Sequence, residues 1–266
     1  MPRDRVSTER APAVVIIGAA LAVAIFAIPL AGLLLRAPWS SAWSTLSAPE
    51  ARTALRLSIV TSLAATAIAI TLGVPLAWVQ ARVPYRGRGF VRALILLPMV
   101  LPPVVGGIAL LLALGKKGIV GQYLDHVGVH LPFHVGGAIL AETFVAMPFL
   151  VLTVEAALRS TDRRYEDAAR TLGASRLRVF RRVTLPMIRP SLIAGAALCW
   201  ARALGEFGAT ITFAGNAPGK TQTLPLFVYV NLEAGNTDAA IILSLVLLAI
   251  SLVVLVSLRE RWLTAL

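Results

Sequence analysis

Six long apolar stretches alternate with shorter polar segments along the 266-residue chain. Each stretch reaches about 20 residues, which is the length that an α-helix needs to cross the hydrocarbon core of a bilayer. The stretches are residues 13–35, 57–79, 93–115, 135–158, 191–213 and 239–258. This pattern predicts an all-α integral membrane protein with six transmembrane helices, organised as a single domain over residues 1–266.

The composition supports a membrane protein. Hydrophobic residues make up 58% of the chain and charged residues 14%, whereas soluble domains are about 45–50% apolar. This balance excludes an ordinary soluble domain and a disordered chain. The first apolar stretch has 23 residues, more than the ~7–15 of a signal-peptide core, so we expect it to be a retained helix.

Lys and Arg are distributed unevenly, and the net charge is +12. Such an excess can indicate nucleic-acid binding, but in membrane proteins it is typical of cytoplasmic loops. Of the 25 Lys and Arg residues, 18 lie in segments 1–12, 80–92, 159–190 and 259–266, and 6 lie in loops 36–56, 116–134 and 214–238. We therefore expect cytoplasmic N- and C-termini, contact with membrane lipid and no nucleic-acid partner.

Prolines interrupt several of the apolar stretches. Pro102 and Pro103 in the third stretch are the clearest case, because two successive residues lack the N–H that a helix requires. Neighbouring helices can absorb such kinks, as is routine in membrane bundles. The alternative is a bend where helices part to open a path, which makes Pro102 and Pro103 candidates for a translocation pathway.

The segment 159–190 is the most informative polar stretch. Asp162 is a candidate N-cap of a short helix, and Gly173 stands where that helix would close in a left-handed C-cap. One face of the helix carries apolar or small residues at i, i+3, i+4 and i+7, namely Tyr165, Ala168, Ala169 and Leu172. A face of small residues suits docking into the groove of a partner protein.

A second short helix is expected after this glycine. Ser175 can cap residues 176–183, and Pro186 and Pro190 are expected to end the helix before the fifth span. Its arginines would also allow the whole segment to rest on anionic lipid. That alternative explains neither the acidic first helix nor its small residues.

This loop resembles the EAA loop of the permease subunits of binding-protein-dependent ABC importers. The family motif is Glu-Ala-Ala, three residues, Gly, nine residues, Ile, one residue and Leu-Pro. The matching or adjoining residues here are Glu166, Asp167, Ala168, Ala169, Gly173, Val183, Leu185 and Pro186. The resemblance implies a type I permease architecture in which loop 159–190 couples to an ATPase subunit.

Three further segments resemble the oxyanion-transporting members of the same family, the molybdate permeases in particular. They are residues 96–107, 201–216 and 218–226. The resemblance implies a homodimeric permease in a bacterial inner or plasma membrane, with two ATP-binding subunits and an extracytoplasmic molybdate-binding protein. It implies no cofactor and no catalytic residues in this chain. Sulfate, thiosulfate or tungstate are alternative substrates, since sulfate permeases carry related sequences.

Arg202 and Glu206 are charged residues within the fifth apolar stretch. Ionisable groups at this depth are costly and usually face a cavity or a partner, so we consider this pair a candidate for the translocation path. The alternative is a pair that only neutralises itself. A proton-coupled secondary transporter using Glu206 or Glu142 is a further alternative. An intramembrane enzyme is disfavoured, because no catalytic set occurs within the spans.

The histidines of loop 116–134 form the one cluster in the sequence that resembles a metal site. His126, His130 and His134 recur every fourth residue beside Asp125, which on a helix would align them. Gly128 and Pro132 interrupt the helix that this would require. We therefore expect no metal site.

Overall fold

The computed structural model describes residues 12–263, which form helices joined by turns and contain no strand. In chain order the helices are α1 (Ala13–Leu35), α2 (Ala42–Ser47), α3 (Pro49–Arg82), α4 (Arg88–Val100), α5 (Pro103–Leu114), α6 (Gly121–His126), α7 (Val135–Ser160), α8 (Arg164–Thr171), α9 (Arg176–Val179), α10 (Leu185–Leu204), α11 (Gly208–Phe213), α12 (Leu224–Glu233) and α13 (Thr237–Leu263). The predicted basic head at residues 1–11 lies outside the described part of the chain.

Five helical segments between residues 12 and 263 are long and apolar enough to cross a membrane. They are α1, α3, α7, the continuous helix Arg176–Leu204 and the segment Thr237–Ser257 of α13. The third predicted span is divided between α4 and the apolar α5. The all-α membrane prediction is confirmed, although the third and the fifth of the six predicted spans are each divided between two helices.

The third span breaks completely at two residues, where the sequence predicted a kink or bend. Leu101 is extended, with φ −66° and ψ 139°, and Pro102 precedes the first turn of α5. Pro102 and Pro103 have no backbone N–H, so α4 cannot continue its hydrogen bonding across them. Proline is well tolerated in a first helical turn, which allows α5 to begin at Pro103.

The fifth predicted span, residues 191–213, is wrong as a single helix. The helix ends at Leu204, and a short separate helix, α11, follows the turn formed by residues 205–207. Gly205 ends α10 with a backbone hydrogen bond to Ala201. The side chain of Glu206 then accepts a hydrogen bond from the N–H of Ala209, which caps the first turn of α11.

The expectation that Pro186 and Pro190 end the second loop helix is also wrong. Residues Arg176–Leu204 form one continuous helix. A π turn at Phe180–Thr184 changes the hydrogen-bond register directly before Pro186, so the missing N–H falls where the register already changes. The second helix of the coupling segment and the first part of the fifth span are therefore one continuous helix.

The core of the bundle is formed by α3, α7 and α10, which pack closely. Small residues allow the approach: a Cβ atom on Gly73 would lie 3.1 Å from Val151, and one on Gly195 would lie 3.1 Å from Thr153. Cys199 is buried in this core. With 34 residues, α3 is about 51 Å long, so it exceeds the ~30 Å hydrocarbon core.

Candidate functional site

Two helices joined by a glycine form a hairpin at the end of α7, as the sequence predicts. Gly173 has φ +82°, and the N–H of Ala174 donates to the carbonyl of Ala169 at 3.0 Å. This is the left-handed closure of α8 for which glycine is favoured. Ser175 caps the following helix by accepting a hydrogen bond from the N–H of Arg178 at 3.4 Å. We call residues 162–179 the coupling hairpin.

One face of the coupling hairpin is apolar and exposed. Tyr165 is 61% exposed and Leu172 88%, and Ala168 lies exposed between them. Ala169 is half-buried, and a side chain at Gly173 would meet open space. Apolar surface of this kind, beside exposed charges, is typical of a protein-docking site. We call Tyr165, Ala168, Leu172 and Gly173 the docking face.

Asp167 and Glu166 differ in exposure and in partners, although they are adjacent in the motif. Asp167 is exposed and lies 3.4 Å from Arg170 on the same helix. Glu166 is buried and pairs with Arg82, the last residue of α3, at 3.2 Å. It also accepts a hydrogen bond from the hydroxyl of Thr184 at 3.0 Å. Only Asp167 is therefore available to a partner.

The remaining motif residues lie where the hairpin enters α10. Val183 and Leu185 are half-buried, and Leu185 packs against the core formed by α3, α7 and α10. Pro186 is exposed. These residues connect the hairpin to α10, and none of them belongs to the docking face.

Arginines from α4, from α7 and from the coupling hairpin converge on the end of α3, a feature that the sequence did not reveal. Arg88 and Arg159 donate to the carbonyl of Gln80, and Arg163 donates to the carbonyl of Ala81 at 3.4 Å. These carbonyls belong to the last turn of α3, where cations are favourable. A helix end followed by several arginines is a sequence signal that could have indicated such contacts.

Arg202 and Glu206 form a pair, as the sequence suggested. Nη1 of Arg202 lies 2.5 Å from Oε2 of Glu206, and the two side chains are 28% and 1% exposed. The other carboxylate oxygen of Glu206 accepts the N–H of Ala209 at 2.9 Å. Arg202 thus keeps part of its surface accessible, whereas Glu206 holds together the ends of α10 and α11.

The breaks in the third and fifth spans meet in space. A Cβ atom on Gly208 would lie 2.9 Å from Cβ of Pro103 and 3.1 Å from the backbone nitrogen of Val104. The structure therefore brings Pro103 against the segment that follows Glu206, while Pro102 is exposed at the surface. The four pathway candidates belong to these two neighbouring breaks.

The other buried acidic residues have structural partners. Thr61 of α3 donates to Glu142 at 2.8 Å inside the bundle. Glu155 contacts Arg159 at 2.5 Å and Arg92 at 3.7 Å near the coupling hairpin. Among residues 12–263, no group of three His, Cys, Asp or Glu side chains is placed to hold a metal ion.

Replacing Arg202 by alanine tests the pathway role of this pair. We expect lower transport, because the change removes the accessible positive charge and leaves Glu206 buried without its partner. The second effect also costs stability, so Arg202→Ala/Glu206→Gln is the control; the glutamine oxygen can still cap α11. Transport and detergent-solubilised yield should be measured for both variants. Full transport by a well-folded double variant would show that the pair has only a structural role.

The sequence matches one family model and several characterised relatives. Residues 69–265 match the family described as binding-protein-dependent transport system inner membrane component. The chain is 44% identical to the molybdenum transport system permease protein of Mycobacterium tuberculosis, over 90% of each chain. It is 39% identical to the Escherichia coli K12 protein of the same name, covering 79% of this chain and 92% of that one. The sulfate transport system permease protein of Salmonella typhimurium is 35% identical, over 88% and 86%.

Solved structures share the fold at low sequence identity. A subunit of a bacterial ABC transporter that imports the acidic polysaccharide alginate superimposes with a TM-score of 0.73. The identity is 19%, and the superposition covers 93% of this chain and 94% of that one. A chain of the MetNI methionine ABC transporter, in inward-facing conformations, superimposes with a TM-score of 0.52 at 20% identity, covering 88% and 98%.

Proposed function

Because this chain belongs to the family of binding-protein-dependent transport system inner membrane components, we propose that it is the permease subunit of an ATP-driven molybdate importer. The observation that carries the proposal is the coupling hairpin, whose docking face is apolar, exposed and closed by a left-handed glycine. A separate ATPase subunit could bind a hairpin of this kind and displace it. The multi-pass membrane location follows from the family and from the apolar helices.

Two copies of the permease would form the translocation pathway, each binding one ATPase subunit through its docking face. An extracytoplasmic molybdate-binding protein would deliver the anion to the opposite side. ATP and the loaded binding protein would each favour one of two arrangements of the bundle, which is sufficient to drive alternating access. The excess of Lys and Arg in segments 80–92 and 159–190 supports a cytoplasmic hairpin and cytoplasmic termini.

Molybdate is the proposed substrate because two molybdenum permeases match at 39% and 44% identity over most of the chain. Sulfate is the second candidate, since a sulfate permease matches at 35%. Both are tetrahedral dianions, so a pathway whose groups interact with one of them can also interact with the other. The binding protein would then contribute much of the selection.

Uptake into proteoliposomes tests the proposal. The permease is reconstituted with its ATPase and its molybdate-binding protein, and labelled molybdate is counted inside the vesicles. We expect uptake that requires ATP, persists when the proton gradient is dissipated and resists a tenfold excess of sulfate. Uptake that stops when the proton gradient is dissipated would instead indicate a secondary transporter. Loss of molybdate uptake to sulfate competition would assign the chain to sulfate.

A further inference from the structure

We propose that Glu166 is a positioning residue that fixes α8, the first helix of the coupling hairpin, to two membrane helices, α3 and α10. The proposal rests on the proposed function, because it concerns how movement of the docked hairpin reaches the bundle. The proposal assigns different roles to the two neighbouring acidic residues of the motif. Asp167 is exposed on the surface of the chain, whereas Glu166 is 3% exposed and turned into the protein.

The first contact of Glu166 is with α3. Its Oε1 atom lies 3.2 Å from Nη2 of Arg82, and both side chains are less than one tenth exposed. Arg82 is the last residue of α3, and the same Nη2 donates to the carbonyl of Thr161 at 3.4 Å. The ion pair therefore connects the hairpin to the end of the longest helix in the described part of the chain.

The second contact is with α10. The hydroxyl of Thr184 donates to the same Oε1 atom at 3.0 Å. Thr184 is buried in the π turn from which α10 begins. At its other end α10 carries Arg202 and leads into Glu206, beside the break in the third span. One carboxylate oxygen thus holds the hairpin to α3 and to the helix that carries the pathway candidates.

This arrangement has a mechanical consequence. A buried ion pair that loses one partner leaves a poorly compensated charge, and the other cation near Glu166, Arg170 of its own helix, is 4.0 Å away, so the Arg82–Glu166 contact resists being pulled apart. When an ATPase displaces the docking face, α3 and α10 must move with α8 or the contacts must break. Without Glu166, α8 could shift inside the ATPase groove while α3 and α10 stayed in place.

The variant Glu166→Gln tests the contact with α3. Glutamine keeps a carbonyl oxygen that can accept from Thr184, but it removes the negative charge that pairs with Arg82. We expect normal co-purification with the ATPase, since the docking face is unchanged. The molybdate transported per ATP hydrolysed should fall about fivefold. A residue that only stabilised the fold would reduce yield and leave this ratio unchanged.

The variant Thr184→Val tests the contact with α10 without changing a charge. Valine has the shape of threonine but no hydroxyl, and the ion pair with Arg82 remains. Transport per ATP should again fall while ATPase binding is retained. Thr71→Val is the matched control, because Thr71 is exposed on α3 and its hydroxyl bonds only to its own helix, at Ala67.

The double variant Arg82→Gln/Glu166→Gln decides whether the pair acts as one unit. We expect its transport per ATP to be no lower than that of either single variant, since both remove the same contact. Wild-type ratios in Glu166→Gln and Thr184→Val would overturn the proposal. Failure of the wild-type permease to bind the ATPase would instead contradict the proposed function, so the two failures are distinguishable.

Discussion

Replacing Gly173 by leucine should uncouple ATP hydrolysis from transport while the membrane helices still insert. Gly173 has φ +82°, a conformation that costs a side chain about 1–2 kcal/mol. The added side chain would also project from the docking face, where the structure leaves open space. Strain and steric obstruction together should weaken ATPase binding about tenfold or more. Co-purification and molybdate-stimulated ATP hydrolysis in proteoliposomes measure the effect.

Gly87→Leu is the matched control for this change. Gly87 has φ +85°, is exposed and has open space around it, so the backbone strain is the same. It precedes α4 and lies outside the coupling hairpin. We expect a stability loss similar to that of Gly173→Leu but normal coupling. Equal coupled transport in both leucine variants would show that the hairpin is not the coupling element, and lipid adhesion would then become the better account of its arginines.

A methyl group at Gly107 should strongly reduce transport by separating α5 from α11. The Cβ atom of Gly107→Ala would overlap Oγ1 of Thr212 and lie 2.8 Å from the carbonyl oxygen of Ala209. The hydroxyl of Thr212 can rotate, but the backbone of α11 cannot yield without displacing the segment after Glu206. Overpacking of this kind costs about 1–3 kcal/mol. Thermal stability in detergent and ATP-driven uptake should both fall.

The adjacent glycine provides the control for this prediction. The Cβ atom of Gly106→Ala would lie 3.1 Å from the ring of Phe144, which can move by a few tenths of an ångström. Gly106→Ala should therefore retain most of the transport activity. If Gly107→Ala were as active as Gly106→Ala, the close approach of the two broken spans would not matter for function.

Features whose signal is local in the sequence were predicted well. The left-handed Gly173, the cap at Ser175 and the apolar face of α8 all follow from spacings of a few residues. The Arg202–Glu206 contact was also predicted, because the two residues are one helical turn apart. In each case the residues that determine the local structure lie within one or two helical turns of one another.

Features that depend on distant segments were missed. The partner of Glu166 is Arg82, 84 positions earlier in the chain, and no periodicity indicates that meeting. The end of α10 at Leu204 was missed because apolar residues continue to Phe213. There the capping of α11 by Glu206 competes with continuation of the helix, and hydropathy cannot separate the two outcomes. The helix α12, with ten residues, lies within segment 214–238, for which the sequence predicts a loop.

Prolines 102 and 103 have no N–H to donate to the carbonyl oxygens four residues earlier, at Pro98 and Met99. Carbonyl oxygens left without a donor are strongly disfavoured in lipid hydrocarbon. Val100, beside them, is 81% exposed on the surface of the single chain. In the membrane this surface must therefore meet protein or water, and hydration is expected to follow the break into the bilayer. If the proposed pathway runs beside this break, we expect water and the free backbone carbonyls to solvate the anion at this depth of the bilayer.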